Sequence, residues 1–253
     1  MKKRNALFSF ALLGALLAEV CFVRYAPAQA ADDLNQLKDS SARVSFVPPS
    51  DSPSPRRTQS GASRIQLPGV CGGLPLVPES GLGLTTGSSP SLFVYFSEGT
   101  TVENALLTLK SSDSEESEYY ETLVDIPREK LSDSGGVVEF QMPEVASELA
   151  LGEEYQWYLA LTCEGNMRPD SPFIKGLVKR VEAANAVERA NSGSLMEKAI
   201  AYGSEGVWYD LLSTLATMRS ANPEDTSFAA HWAGIMETSG LEEIASEPLI
   251  IQD

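Results

Sequence analysis

Tyr155-Gln156-Trp157-Tyr158-Leu159-Ala160-Leu161-Thr162-Cys163 is the stretch that decides the fold. Side chains alternate across a β-strand, so Tyr155, Trp157, Leu159, Leu161 and Cys163 fall on one face at period two. That face has the apolar bulk of a core, which predicts a central strand with Trp157 and Cys163 pointing inward.

Runs of the same texture flank it. Leu92 to Phe96, Asn104 to Lys110, Glu118 to Ile126, Val137 to Met142 and Phe173 to Val181 are short and β-rich. Polar, turn-rich loops at 111–117, 132–136 and 165–172 separate them. The pattern predicts an antiparallel Ig-like or fibronectin-like β-sandwich over 65–182. Gly81 to Gly87 is glycine-rich without the spacing of a dinucleotide fingerprint, and it reads as the loop before the strand at Leu92.

From Ala183 onward apolar residues recur at three- and four-residue steps, so 183–253 reads as helical. Ser194-Leu195-Met196-Glu197 has the form of a capping box, in which hydroxyl and carboxylate satisfy orphan amides at a helix start. Asn222-Pro223-Glu224-Asp225 predicts an N-cap at Asn222 with proline at the first helical position. Helices are expected near 194–203, 206–220 and 224–238, with a short fourth from Leu241. The fold class is therefore α+β, a β-sandwich followed by a small C-terminal helical hairpin region.

Gly206 and Gly240 lie 34 residues apart, and the same offset pairs Leu195 with Ala229, Ala199 with Ala233 and Tyr202 with Met236. This segment is similar to a tetratricopeptide repeat, with Gly206, Trp208, Leu211, Leu215, Met218 and Pro223 at the marker positions. Only about one and a half copies fit, whereas a free-standing array needs about three. Two arrangements stay open. A peptide groove would expose several of Trp208, Tyr209, Trp232 and Met236; a brace would bury them against the sheets. The brace is favoured, with Trp208 and Trp232 buried.

Residues 1–30 read as a secretory signal: Lys2, Lys3 and Arg4 precede an apolar run from Ala6 to Ala18, and Ala28-Gln29-Ala30 forms a small-residue cleavage site. A retained membrane anchor fits less well, because Glu19 and Arg24 break the run and it is short for ~30 Å of hydrocarbon. Cys21 follows Val20, where a lipoprotein signal wants Gly or Ala, so it leaves with the peptide. Residues 31–64 carry Pro48, Pro49, Pro53 and Pro55 without an apolar period and read as a disordered or extended linker. Its cluster of Arg56, Arg57 and Arg64 reads as solvated.

The chain of 253 residues holds 35 acidic against 19 basic residues, a formal charge of -16. Without the leader, 15 basic and 34 acidic residues remain, a charge of -19. Such a chain lacks the basic face that nucleic acid or an anionic membrane requires. One histidine and three cysteines supply no ligand set for a zinc, haem or iron–sulfur site, and no metal or cofactor is expected. Cys71 and Cys163 remain in a compartment where thiols oxidise. A bridge between them is favoured over two buried free thiols; it would close a loop of about 93 residues, worth about 4 to 5 kcal/mol in the chain-entropy model.

No catalytic constellation stands out. His231, beside Trp232 on an amphipathic helix, reads as a packing or surface residue. Asp113, Glu115, Glu116 and Glu118 form an acidic hairpin tip without the ligand spacing or glycine of an EF-hand, so any calcium affinity would be weak.

Pro90-Ser91-Leu92-Phe93-Val94-Tyr95, Tyr155-Gln156-Trp157 through Thr162-Cys163, Gly176 to Val181 and Gly206-Val207-Trp208-Tyr209-Asp210 occur in that order. Together they resemble an uncharacterised cyanobacterial family, domain of unknown function 928, over about residues 65–250. The resemblance implies an exported cyanobacterial protein with this two-part layout. It implies no reaction and offers no catalytic residues.

The expected function is that of a periplasmic or extracellular, non-catalytic binding or scaffold protein of the cell envelope. Its partner would be a protein or glycan, with no nucleic acid and no membrane once the signal is cleaved. The alternative is an envelope polymer hydrolase using paired carboxylates, which requires two convergent acids in a cleft, one with a raised pKa.

Overall fold

The computed structural model describes residues 43–50, 71–112, 119–131, 134–142, 148–163 and 165–250. They belong to one compact unit, Ser41–Asp253. The first elements are β1 (Leu74–Pro75), β2 (Leu82–Thr85), β3 (Ser91–Phe96), β4 (Asn104–Ser111), β5 (Tyr119–Asp125), α1 (Arg128–Leu131), β6 (Gly136–Gln141), β7 (Glu154–Thr162) and β8 (Phe173–Arg180). Then come α2 (Asn185–Ala190), α3 (Leu195–Ser204), α4 (Trp208–Ala221), α5 (Thr226–Thr238), a 3-10 turn (Glu242–Ile244) and β9 (Leu249–Ile250). The architecture is mixed α+β, with two sheets and with the helices in the C-terminal half.

One sheet has the order β1-β3-β6-β9 and the other β2-β8-β7-β4-β5. The expectation of a purely antiparallel arrangement is corrected at two edges: β2 runs parallel to β8, and β9 parallel to β6. Parallel neighbours need long connections. Both pairs have them, since β2 and β8 lie far apart in sequence and the whole helical segment intervenes before β9. The Gly81-to-Gly87 stretch is likewise corrected from loop to strand, because β2 occupies Leu82–Thr85. Gly83 is required there: a Cβ would stand 2.5 Å from the Tyr209 ring.

The alternation in β7 produces the expected core face, with Trp157, Leu159 and Leu161 each 1% exposed. Residues of both sheets and of the helices form one buried cluster. Strand β3 is covered on both faces. Val94 and Phe96 approach Gly73 and Ile174 on one side, while Phe93 on the other meets Trp232 of α5 edge-on, ring centroids 6.2 Å apart.

Helix α4 lays its first turn between the edges formed by β1 and β2. The Trp208 indole N–H donates to the Leu76 carbonyl at 2.9 Å. The Tyr209 hydroxyl accepts from Trp157 Nε1 at 2.9 Å and donates to the Leu177 carbonyl at 3.0 Å. Asp210 takes both the hydroxyl (2.7 Å) and the backbone N–H (3.2 Å) of Thr86. Three consecutive residues thus fasten one helix to both sheets.

The start of α3 follows the capping box: Ser194 Oγ accepts from the Glu197 N–H, and Glu197 Oε2 accepts from the Ser194 N–H at 2.7 Å. The start of α5 departs from expectation. Its N-cap is Asp225, accepting from the Ser227 N–H at 2.9 Å, rather than Asn222. The Asn222 carbonyl instead receives the Asp225 N–H at 3.0 Å, which closes a turn through Pro223 and delays the helix.

Residues 43–50 fall in the stretch read as linker, and here they run along the α3–α4 junction. Phe46 packs edge-on against Trp208 at 4.8 Å, and the Val47 N–H donates to the Gly203 carbonyl at 2.9 Å. Gly206, at φ +71°, leaves room for Pro49.

Tyr209→Phe keeps the ring and strands both the Trp157 N–H and the Leu177 carbonyl. Two buried groups losing a partner should cost about 2 kcal/mol or more, read as a lower urea midpoint at unchanged slope. An unchanged midpoint would show that water replaces the phenol.

Candidate functional site

Among the described residues, those singled out in the sequence do not assemble into a reaction centre. Cys71 and Cys163 are joined by a disulfide, with their Cα atoms 5.7 Å apart. It ties the residue three positions before β1 to the end of β7. Trp208, Tyr209, Trp232 and Met236 are all 0% exposed, so the helices brace the sheets and present no aromatic groove. Asp113, Glu115, Glu116 and Glu118 lie outside the described residues.

His231 sits on α5, half-buried. Loss of solvent pulls its pKa below the ordinary histidine value, opposed by the nearby Asp225 carboxylate. Glu197 and Asp225 are exposed caps whose pKa values are lowered by hydrogen bonds from Ser194 and Ser227. A general acid needs the opposite shift. The α4–α5 turn, residues 221–226, lines a cavity of about 590 Å³ whose Asp225 is already engaged as the helix cap. Among the described residues no group of three or more His, Cys, Asp or Glu side chains is placed to hold a metal ion.

What the structure does assemble is a surface. The five-stranded sheet turns Leu107, Leu109, Trp157, Leu159, Ile174 and Val178 inward, so the alternate residues face outward. Register fixes which of them are neighbours. Leu123 of β5 lies beside Leu106 of β4, Leu106 beside Ala160 of β7, and Ala160 beside Phe173 of β8. This is an apolar row across four strands. Leu123 is 62% exposed and Phe173 53%. The adjoining row runs Glu121, Thr108, Tyr158, Lys175, and the Tyr158 ring tilts against Phe173 at 6.0 Å.

Charge is also arranged on this face. Lys110, Lys175 and Lys179 point outward from it in a chain whose formal charge is -16. Glu121 and Lys175 have no ion-pair partner among the described residues, where Arg128 and Glu103 pair at 3.2 Å.

Sequence reasoning did not single out these outward residues. The available signal was phase: Leu106, Phe173 and Leu177 fall out of step with the buried alternation of their own strands. Phase marks a face as apolar, but only strand register lines the residues up.

These features describe a disulfide-linked, two-sheet protein braced by C-terminal helices and carrying an exposed apolar row. The chain belongs to the family described as Domain of Unknown Function (DUF928), whose model matches residues 60–249. A comparison with curated proteins finds no match.

The disulfide closes a loop spanning a sequence separation of 92. Replacing both cysteines with serine should lower stability by about 4 kcal/mol in urea titrations under oxidising conditions. Equal midpoints for the two proteins would show that the bridge does not constrain the unfolded chain.

Proposed function

We propose that this chain is an exported, non-catalytic binding or scaffold protein of the cyanobacterial envelope, periplasmic or extracellular, that docks a protein on the outer face of its five-stranded sheet. The observation that carries the reading is the exposure of Leu123 and Phe173 in one continuous row. Large apolar side chains aligned on a sheet face lose more by staying in water than scattered ones do, and they mark interaction surfaces. A protein fits the leucine-rich row better than a glycan does.

Export is supported by the leader-like sequence at 1–30 and by the Cys71–Cys163 bridge, which persists in oxidising compartments. Among the described residues no helix is long and apolar enough to cross a membrane. The cyanobacterial assignment rests on the family resemblance.

Strand order supports an Ig-like reading of the two sheets as a sandwich. β1-β3-β6 follow the A-B-E order and β4-β7-β8 the C-F-G order of that fold, with β5 flanking β4. The likeness of the helical end to tetratricopeptide repeats is supported by Gly206 and Gly240, which both adopt left-handed backbone just after α3 and α5. The second copy is cut short, since a 3-10 turn at Glu242–Ile244 stands where a helix like α4 would follow. That truncation favours a brace.

The test is affinity purification of the tagged chain from the envelope fraction of its source, beside a Leu123→Asp/Phe173→Asp variant. The unmodified chain should retain a protein partner that the variant loses. Retention of the same proteins by both would contradict the assignment of this face.

A further inference from the structure

We propose that the occupant of this face is a second copy of the same chain, giving a two-fold dimer through the outer surface of the five-stranded sheet. The inference rests on the binding reading of that face and names its partner. A two-fold axis along the strands, between β4 and β7, lays β5 of one copy over β8 of the other, and β4 over β7. Under that operation the apolar row meets itself in reverse. Leu123 comes onto Phe173 of the partner subunit, and Leu106 comes onto Ala160 of the partner subunit, a large side chain against a small one.

The polar row is self-complementary in the same sense. Its ends carry opposite charges, Glu121 on β5 and Lys175 on β8. Within one chain they are separated by three strand spacings, about 14 Å, too far to pair. In the dimer each meets its opposite, so two symmetric ion pairs form that no single chain can make. An isologous interface demands this kind of match, because the same patch must serve as both lock and key.

Charge also argues for the location and against other partners. Two copies of a chain at -16 repel over most approaches. The repulsion is weakest where Lys110, Lys175 and Lys179 project. A polyanionic partner would prefer an unbroken lysine field, but Glu121 and Glu154 interrupt this one. A purely apolar partner would leave Glu121 and Lys175 facing each other's absence across a buried surface, which is costly.

Sedimentation velocity on the disulfide-linked chain tests the proposal. The unmodified chain should dimerise at micromolar concentration. Leu123→Asp should weaken the dimer by more than about tenfold, since each substitution acts twice in a two-fold interface. Glu121→Lys and Lys175→Glu should each weaken it, and the Glu121→Lys/Lys175→Glu double variant should recover most of the loss. All three positions lie on the outer sheet surface, and matching far-UV circular dichroism confirms an intact fold. A monomer throughout, or a double variant no better than the singles, overturns the proposal. If the chain is monomeric yet loses a different protein on Leu123→Asp, that protein is the occupant: the second copy is then excluded while the binding reading stands.

Discussion

A phenol oxygen held between an indole N–H and a backbone carbonyl joins the two halves of this molecule. Tyr209 is fully buried, and loss of solvent pushes its pKa well above the ordinary tyrosine value, so the hydroxyl keeps its proton. It therefore donates to Leu177 on β8 while accepting from Trp157 on β7. Neither partner could be left unpaired at this depth without a cost comparable to a sizeable share of a domain's net stability. The surrounding sequence accommodates the two rings. Gly83 leaves space for Tyr209, and Gly176 leaves space for Trp157, whose ring would stand 2.5 Å from an added Cβ.

Much else follows from that junction. Once α4 is seated, Trp208 reaches Leu76 beside β1 and Asp210 grips Thr86 beyond β2, so the helix closes the side where the two sheets part. Residues 43–50 then cover Trp208 from outside. The disulfide acts elsewhere, at the junction of Cys71 with the end of β7, and works mainly by restricting the unfolded chain.

The sequence revealed those elements whose pattern is local and long. Strands β4, β5, β7 and β8 are legible because alternation over seven to nine residues leaves little choice of face, whereas β3 and β6 are legible as short, continuous β-rich runs. The capping box at Ser194 is legible because its chemistry spans one turn. Strands β1 and β9 are two residues each, too short for any period. Strand β2 looks like a glycine-rich loop until the Tyr209 ring explains Gly83. The α5 cap moved from Asn222 to Asp225 because both residues can cap, and the turn through Pro223 decides between them. The outward row was hidden for a related reason. Leu106, Leu123, Ala160 and Phe173 are scattered through the chain, and only pairing register makes them neighbours.

If the Tyr209 junction governs the fold, helices and sheets should open together. Native-state hydrogen exchange measures this directly by comparing Leu212 and Leu215 in α4 with Leu159 and Leu161 in β7, all 0 to 1% exposed. Both sets should exchange with one common opening free energy, equal to that of global unfolding. Exchange of the α4 amides through a separate, lower-energy opening while β7 stays protected would contradict it.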